Sequence, residues 1–87
     1  MKTVFKFEFP VNDEVLIQMP ADAKIVHVGR QQPNHICLWA IVDTDKTAVN
    51  RQFSIRGTGQ PLGRASDCEH LGSVFDGPFV WHVFGER

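Results

Sequence analysis

The segment TVFKFEF, residues 3–9, decides the fold class. Phenylalanine occupies positions 5, 7 and 9 and alternates with Lys6 and Glu8, so the pattern of side chains repeats with a period of two. Successive side chains of a β-strand point to opposite faces, and the alternation therefore predicts a strand with one aromatic face. Pro10 ends the run because it cannot donate a backbone hydrogen bond.

Further extended runs follow at short intervals along the chain. The run ICLWAIV, residues 36–42, is apolar on both faces and predicts a central strand that is covered on both sides. The alternation returns in residues 49–56, where Arg51 is the one charged side chain on the apolar face. A tight turn at residues 76–78, with a positive φ at Gly77, is expected between the last two strands. The remaining runs cover residues 14–19, 24–29, 70–75 and 79–84.

These runs predict an all-β fold. No window of about eleven residues has an apolar stripe of period 3.6, so we expect no amphipathic helix, and a loop continues through Asp67. About seven strands joined by short turns are typical of a small antiparallel β-sandwich or barrel. Strands that are neighbours in sequence usually pair, which favours mostly meander connections. At 87 residues the chain is expected to form a single domain, residues 1–87.

Composition and charge exclude several classes of protein. Nine basic and ten acidic residues give a net charge of −1, whereas a nucleic-acid-binding domain needs clustered basic side chains to contact phosphates. No apolar run approaches the roughly 18 residues that span a bilayer, and the charges within residues 1–8 do not fit a signal peptide. We therefore expect a cytoplasmic protein that binds neither nucleic acid nor membrane. Cys37, buried, and Cys68, exposed, are expected to remain reduced thiols.

Several blocks of the sequence resemble a family of small phage- and prophage-encoded proteins. The blocks that carry the resemblance are MPA (19–21), AKIVHV (23–28), CLWAIVD (37–43), FSIRGTGQP (53–61) and VWHVF (80–84). The chain departs from the family pattern at Gln60, where histidine is expected, and at its end, Gly85-Glu86-Arg87. The resemblance implies a phage origin, action inside an infected bacterium and binding to a host component, such as one of a defence system. It implies no mechanism.

The glycine-rich loop after residues 49–56 is the first candidate site. Gly57-Thr58-Gly59 resembles the start of a dinucleotide-binding motif, but the spacing that follows breaks the motif and no helix is predicted after it. The simplest interpretation is a strand-to-loop turn with a positive φ at both glycines. The alternative is a nest of backbone N–H groups that binds a phosphate or carboxylate together with the Thr58 hydroxyl and a nearby arginine such as Arg56.

Two histidines stand in the middle of predicted strands. His27 and His82 have apolar neighbours, and an imidazole in such a place usually bonds to backbone or to a neighbouring polar side chain. The alternative is that one or both line a ligand pocket with Trp39 or Trp81. A nucleotide would then be bound by Arg30, Trp39, Arg56 and Thr58.

A metal site is a further alternative. His35 and Cys37, and likewise Cys68 and His70, stand two residues apart, so each pair lies on one face of an extended segment. Two such pairs that converge could bind one zinc ion, although the spacing is not a known structural-zinc signature. The simpler interpretation is that these residues belong to the core, a hairpin and a loop.

The sequence favours a protein that acts by binding. Seven phenylalanines and two tryptophans exceed what a core of this size needs, so we expect aromatic surface to be shared with a partner or a second copy. The first expectation is a protein that inhibits or sequesters a host protein, without a cofactor. The alternatives are a nucleotide- or small-anion-binding protein, a virion or assembly component that oligomerises, and a small metal- or histidine-dependent enzyme. If Arg56 binds an anion, Arg56→Glu should weaken that binding and leave thermal stability almost unchanged.

Overall fold

Seven β-strands and one short 3₁₀ helix make up the chain over residues 1–86, the range that the structure, a computed structural model, describes. All seven predicted strands are confirmed, and most extend one residue further than predicted at one or both ends. The elements are β1 (Lys2–Pro10), β2 (Glu14–Pro20), β3 (Lys24–Gly29), β4 (His35–Asp43), β5 (Ala48–Gly57), the 3₁₀ helix (Gly63–Asp67), β6 (Glu69–Asp76) and β7 (Phe79–Gly85).

The strands form two antiparallel sheets and, within residues 1–86, no closed barrel. The three-stranded sheet has the order β1-β4-β3 and the four-stranded sheet the order β2-β5-β7-β6. The predicted meander is therefore wrong, because only β3-β4 and β6-β7 pair as sequence neighbours. The chain crosses between the sheets after β1, β2 and β4. These crossings place the apolar face of each sheet against the apolar face of the other.

The core lies between the two sheets. The inward side chains of β4, among them Ile36 and Leu38, share one apolar cluster with Phe53 and Ile55 of β5 and Val83 of β7. Each of these side chains is at most 1% exposed. Full burial of one such side chain contributes about 1.5–3 kcal/mol, so this cluster is a main source of the hydrophobic stabilisation that holds the two sheets together.

The central strand β4 is covered on both faces only in part. Cys37 is fully buried, because the β3–β4 loop folds over it and its thiol donates to the Glu8 carboxylate at 3.4 Å. Further along the strand Trp39 is half-buried and Ile41 is 40% exposed. The prediction of a doubly covered strand is therefore correct for the end near Cys37 and wrong for the remainder.

The two sheets approach each other most closely where β3 meets β6. Both strands contain an irregularity in their pairing, β3 between Ile25 and His27 and β6 between His70 and Gly72. Gly72 makes the approach possible, because a Cβ atom at this position would lie 3.1 Å from the Cβ of Val28. The other two edge strands, β1 and β2, lie on the opposite side of the molecule.

No helix within residues 1–86 is long and apolar enough to cross a membrane.

The close approach at Gly72 gives the first prediction. Gly72→Ala should lower the free energy of unfolding by about 1–3 kcal/mol, because the new methyl group has to displace Val28 or separate the two edges. Chemical denaturation measures the loss. In a double-mutant cycle with Val28→Ala, the double variant should be more stable than the sum of the two single losses predicts. Wild-type stability of Gly72→Ala would contradict the described contact.

Candidate functional site

The residues predicted for a binding site lie in three separate places. His27 and Trp39 lie on the outer face of the three-stranded sheet, and Arg30 lies in the β3–β4 loop. The others lie on or beside the outer face of the four-stranded sheet: Arg56, Gly57, Thr58, Gly59 and His82. The structure therefore does not unite the predicted nucleotide-binding residues in one site.

Arg30 connects two loops of the protein itself. Its Nη1 donates to Asp76 Oδ1 at 2.8 Å, and the other oxygen of this carboxylate accepts the Asn34 backbone N–H at 3.0 Å and the Trp81 indole N–H at 3.4 Å. The hydrogen bond from Asn34 and those from Trp81 and Arg30 outweigh the effect of burial and lower the pKa of Asp76. Arg30 thus fastens the β3–β4 loop to the β6–β7 turn, and it is not a free cation as the sequence suggested.

Arg56 is likewise committed within the fold. Its guanidinium donates to the carbonyl oxygens of Leu62, Asp13 and Ile55 at 3.0, 2.8 and 3.0 Å. Nη2 also lies 2.9 Å from Glu14 Oε2, and the side chain is only 10% exposed. The sequence analysis predicted a loop where the structure has the 3₁₀ helix. This helix helps to cover the Arg56 guanidinium, and its Ala65 is fully buried. The guanidinium therefore faces groups of the protein itself, and these contacts oppose the expectation that Arg56 binds an external anion and that Arg56→Glu leaves thermal stability almost unchanged.

Glu14 completes this buried ion pair. Its Oε1 accepts the Ser54 hydroxyl at 2.7 Å and lies 3.6 Å from Arg64 Nε. Burial alone would raise the pKa of Glu14, but hydrogen bonds from Ser54 and Arg56 and the charges of both arginines outweigh it and lower the pKa. The carboxylate is therefore ionised at neutral pH and is the anion that Arg56 binds.

The Gly57-Thr58-Gly59 loop is a turn closed by its own side chains. The Gly57 N–H donates to Gln60 Oε1 at 2.8 Å, and the Gln60 N–H donates to the Gly57 carbonyl at 3.0 Å. Gly59 has the predicted positive φ of 87°, but Gly57 does not; a Cβ there would lie 3.3 Å from the ring of Trp81. Because Gln60 takes the Gly57 N–H, the loop does not offer the row of free donors that an anion nest needs.

A chain of hydroxyl and imidazole groups crosses the outer face of the four-stranded sheet. His82 Nε2 lies 2.9 Å from the Thr58 hydroxyl, its Nδ1 lies 2.8 Å from Ser73 Oγ, and that hydroxyl lies 3.3 Å from His70 Nε2. Thr58 and His82 are predicted site residues, and the sequence analysis considered His70 only as a zinc ligand, whereas it missed Ser73. Counting back from the turn at residues 76–78 would have placed Ser73 opposite His82.

The hydrogen bonds of these histidines are typical of surface imidazoles bonded to neighbouring hydroxyls, and not of a catalytic or metal site. Both ring nitrogens of His82 are engaged by hydroxyls, and the contacts include no carboxylate that could orient the imidazole as a base. Over residues 1–86, no group of three or more histidine, cysteine, aspartate or glutamate side chains is placed to hold a metal ion. The residues of the zinc hypothesis are divided between the sheets, with Cys37 on β4 and His70 on β6.

The outer face of the three-stranded sheet carries a different combination of side chains. Ile41 lies between Val4 of β1 and Lys24 of β3, and Trp39 lies between Lys6 of β1 and His27 of β3. The ring centroids of His27 and Trp39 are 5.4 Å apart. We call this surface the lysine face and define it by these residues: Lys2, Val4, Lys6, Lys24, His27, Trp39, Ile41 and Lys46.

All four lysines of the sequence lie on or beside this face. Lys2, Lys24 and Lys46 line a cavity of about 460 Å³ at one end of it, together with the carboxylates of Asp22 and Asp43. The sequence analysis did not predict this surface, because it considered only the aromatic face of β1. The alternation of Lys2, Val4 and Lys6 was visible, but the arrival of Lys24 and Lys46 beside them depends on strand order.

The ion pair between Glu14 and Arg56 yields a prediction about pH. Glu14→Gln should lower the free energy of unfolding at pH 7 by roughly 1–3 kcal/mol, because Arg56 stays buried without its counter-charge. Since the pKa of Glu14 is lowered by folding, its stabilisation is present above the ordinary value and is lost as the pH falls through the folded value. Denaturation between pH 3 and 7 should therefore show the variant and the wild type converging in acid. Glu69→Gln, an exposed residue, is the control, and an equal loss in both variants would contradict the role of Glu14.

Comparison with known proteins identifies a family but no characterised relative. A search of curated proteins and a search of solved structures each found no match. One protein-family model, described as a domain of unknown function (DUF7352), matches residues 1–87. Because the match covers the whole chain, the protein belongs to the DUF7352 family.

Proposed function

We propose that this protein acts by binding, and that its lysine face takes up an acidic and partly apolar surface of another protein. The observation that carries the proposal is the gathering of all four lysines around exposed apolar side chains on one sheet face. Protein interfaces commonly combine an apolar centre with a charged rim, and the sign of the rim selects the partner.

The centre of the lysine face has the apolar area that such an interface needs. Val4 is 54% exposed and Ile41 40%, and the half-buried indole of Trp39 lies beside them. Val26, at the irregularity in β3, adds a further exposed aliphatic side chain. Tryptophan is enriched among residues that dominate binding free energy, and Trp39 is held between Lys6 and His27 before any partner arrives.

The rim supplies positive charge that the fold does not use. Within residues 1–86, Lys2 and Lys24 form no ion pair, and the Lys6 ammonium donates to the neutral Gln31 side chain at 2.6 Å. Lys46 lies 3.6 Å from Asp22, an exposed pair that is worth little in water. The arginines Arg30 and Arg56, by contrast, are bound to carboxylates of the chain.

The resemblance to phage- and prophage-encoded proteins supports a particular partner. A protein of an infected bacterium, including one of its defence systems, is the proposed target, and the bacterial cytoplasm is the proposed place of action. Occupying an acidic surface is enough to inhibit or sequester such a target, so this function needs neither a cofactor nor a catalytic group.

Two substitutions on the lysine face test the proposal. Lys24→Glu and Ile41→Asp should each weaken the partner's affinity by about tenfold or more, because one reverses a rim charge and the other places a charge in the apolar centre. Quantitative capture from a bacterial lysate compares the variants with the wild type, and titration calorimetry with the captured protein then gives the affinities. The affinity should fall as salt is raised.

Matched controls separate this effect from loss of folding. Lys24→Arg keeps the charge and should bind normally, and Leu16→Asp alters an exposed aliphatic residue on the other sheet, which is 66% exposed against 40% for Ile41. Thermal stability should be nearly unchanged in all four variants, since the altered side chains are exposed. If Leu16→Asp weakens capture as much as Ile41→Asp does, or if neither lysine-face variant weakens it, the proposal is wrong.

The cavity at the end of the lysine face favours a second candidate function, the binding of a small anion. Lys2, Lys24 and Lys46 line it beside the carboxylates of Asp22 and Asp43, so its three positive charges outnumber two negative ones, and Ile41 contributes an apolar wall. This combination suits a phosphate or carboxylate with an apolar body, such as a nucleotide, at a place far from the Gly57–Gly59 loop.

Adenosine monophosphate is a suitable probe of this second function. Its addition should shift the amide resonances of residues around the cavity, and Lys46→Gln should weaken binding several-fold because one of the three lysines that line the cavity loses its charge. Thr58→Ala, in the loop that the sequence favoured, is the matched control and should leave the binding unchanged. Resonances that do not move at millimolar nucleotide would contradict this candidate.

A further inference from the structure

The strand β1 leaves one full backbone edge without a partner. It pairs with β4 in an unbroken register from Lys2 to Pro10, and within residues 1–86 no strand lies on its other side. Edge strands are usually protected by bulges, by short length or by charges. At nine residues and without a bulge, β1 has only the charges of Lys2, Lys6 and Glu8 and the terminal Pro10 for protection.

The hydrogen bonds at the two ends of β1 show which of its backbone groups are free. The Thr44 N–H donates to the Met1 carbonyl at 2.8 Å, and the Val11 N–H donates to the Asn34 carbonyl at 2.9 Å. Hydrogen-bonded pairs alternate along an antiparallel ladder, so the odd-numbered residues of β1 bond to β4. The N–H and C=O groups of the even-numbered residues therefore point outward from the sheet: Lys2, Val4, Lys6 and Glu8.

We propose that β1 pairs antiparallel with β1 of a second copy of this chain, about a two-fold axis at Phe5. Lys2 then lies opposite Glu8 of the second copy, and Val4 lies opposite Lys6 of the second copy. All four free residues find a partner for both backbone groups in this register. The result is one continuous six-stranded sheet.

The neighbouring symmetric registers fit less well. An axis at Lys6 places Lys6 opposite its own copy, and Lys2 then faces Pro10, which has no N–H to donate. An axis at Phe7 places Val4 opposite Pro10 and leaves Lys2 without a partner. An axis at Val4 places Lys2 opposite Lys6 of the second copy, and an axis at Thr3 pairs only Lys2 with Val4. The axis at Phe5 is therefore the one that pairs all four free residues without like charges or a missing donor.

The side chain at the proposed axis is itself suited to an interface. Phe5 belongs to the inward face of β1, yet it is 41% exposed and, unlike Phe7 and Phe9, does not belong to the core cluster or pack against it. It makes an edge-to-face contact with Phe7 at 6.3 Å. Across the axis the two Phe5 residues would form a non-hydrogen-bonded pair, the closer of the two antiparallel arrangements, and each would cover the other's exposed ring.

The charges at the ends of the interface are complementary. Glu8 Oε2 accepts bonds from Gln32 at 3.1 Å and from the Cys37 thiol at 3.4 Å, which leaves Oε1 for Lys2 of the second copy. The hydrogen bond from Gln32 lowers the pKa of Glu8, so the carboxylate is ionised at neutral pH. The two-fold axis forms this pair twice. The lysines of β1 therefore select this register, although a lysine in an edge strand more often opposes pairing.

Disulfide trapping tests the register directly. In a Cys68→Ser background, which removes the partly exposed native thiol, Phe5→Cys should form a covalent dimer on mild oxidation, seen by non-reducing electrophoresis. Thr3→Cys should stay monomeric alone, and it should cross-link when mixed with Phe7→Cys, because these positions face each other across the axis. A Phe5→Cys protein that gives no more dimer than Thr3→Cys would overturn the proposal.

A charge exchange provides a second test that does not rest on introduced cysteines or on the proposed function. Sedimentation analysis should show a monomer–dimer equilibrium for the wild type, and Glu8→Lys should weaken dimerisation about tenfold because it sets Lys2 against a like charge twice. Adding Lys2→Glu should restore it. These residues are six positions apart on one strand, so a purely intramolecular defect of Glu8→Lys would not be rescued. A wild type that stays monomeric to millimolar concentration, or a failed rescue, would overturn the pairing.

Discussion

The period of two along each strand is the constraint on which the rest of this structure depends. Because successive side chains point to opposite faces, placing Ile36 and Leu38 in the core forces Cys37 and Trp39 outward. The same alternation in β1 turns its phenylalanines inward and its lysines outward. The alternation that points core side chains inward therefore also points the side chains of the lysine face outward from the same sheet. A one-residue shift in register would bury the lysines.

That constraint also explains what could be predicted from the sequence. All seven strands, the positive φ of Gly77 and the burial of Cys37 depend on local pattern, and the structure confirms them. Strand order and the roles of Arg30 and Arg56 depend instead on contacts between distant residues. Arg30 meets Asp76 46 positions away, and Arg56 meets the Asp13 carbonyl 43 positions away. Periodicity carries no information about such pairs, so the pattern of the sequence does not show that these arginines are bound within the fold.

The basic residues divide according to the chemistry of their side chains. The planar guanidinium offers several donors in a fixed arrangement and is weakly hydrated, so it suits buried sites such as the carbonyls and carboxylate around Arg56. Arg51 follows the same rule, since it donates to the Ala23 carbonyl at 2.6 Å on the inner side of β5. The strongly hydrated ammonium groups of lysine stay outside. Although the net charge is only −1, all four lysines are therefore concentrated on or beside one face of the molecule.

Pairing through β1 would change what the lysine face offers a partner. Lys2 would be engaged by Glu8 of the second copy, while Lys6, Lys24 and Lys46 of each copy would stay available. The two β4 strands would be separated by three strand spacings, about 14 Å, so the Trp39–Ile41 rows of both copies would lie side by side on one sheet. An elongated acidic surface could contact both rows at once, and the second contact would then be intramolecular. Dimerisation would in this way strengthen binding without any new residue on the face, and it would favour partners whose acidic surface is long enough to span both copies.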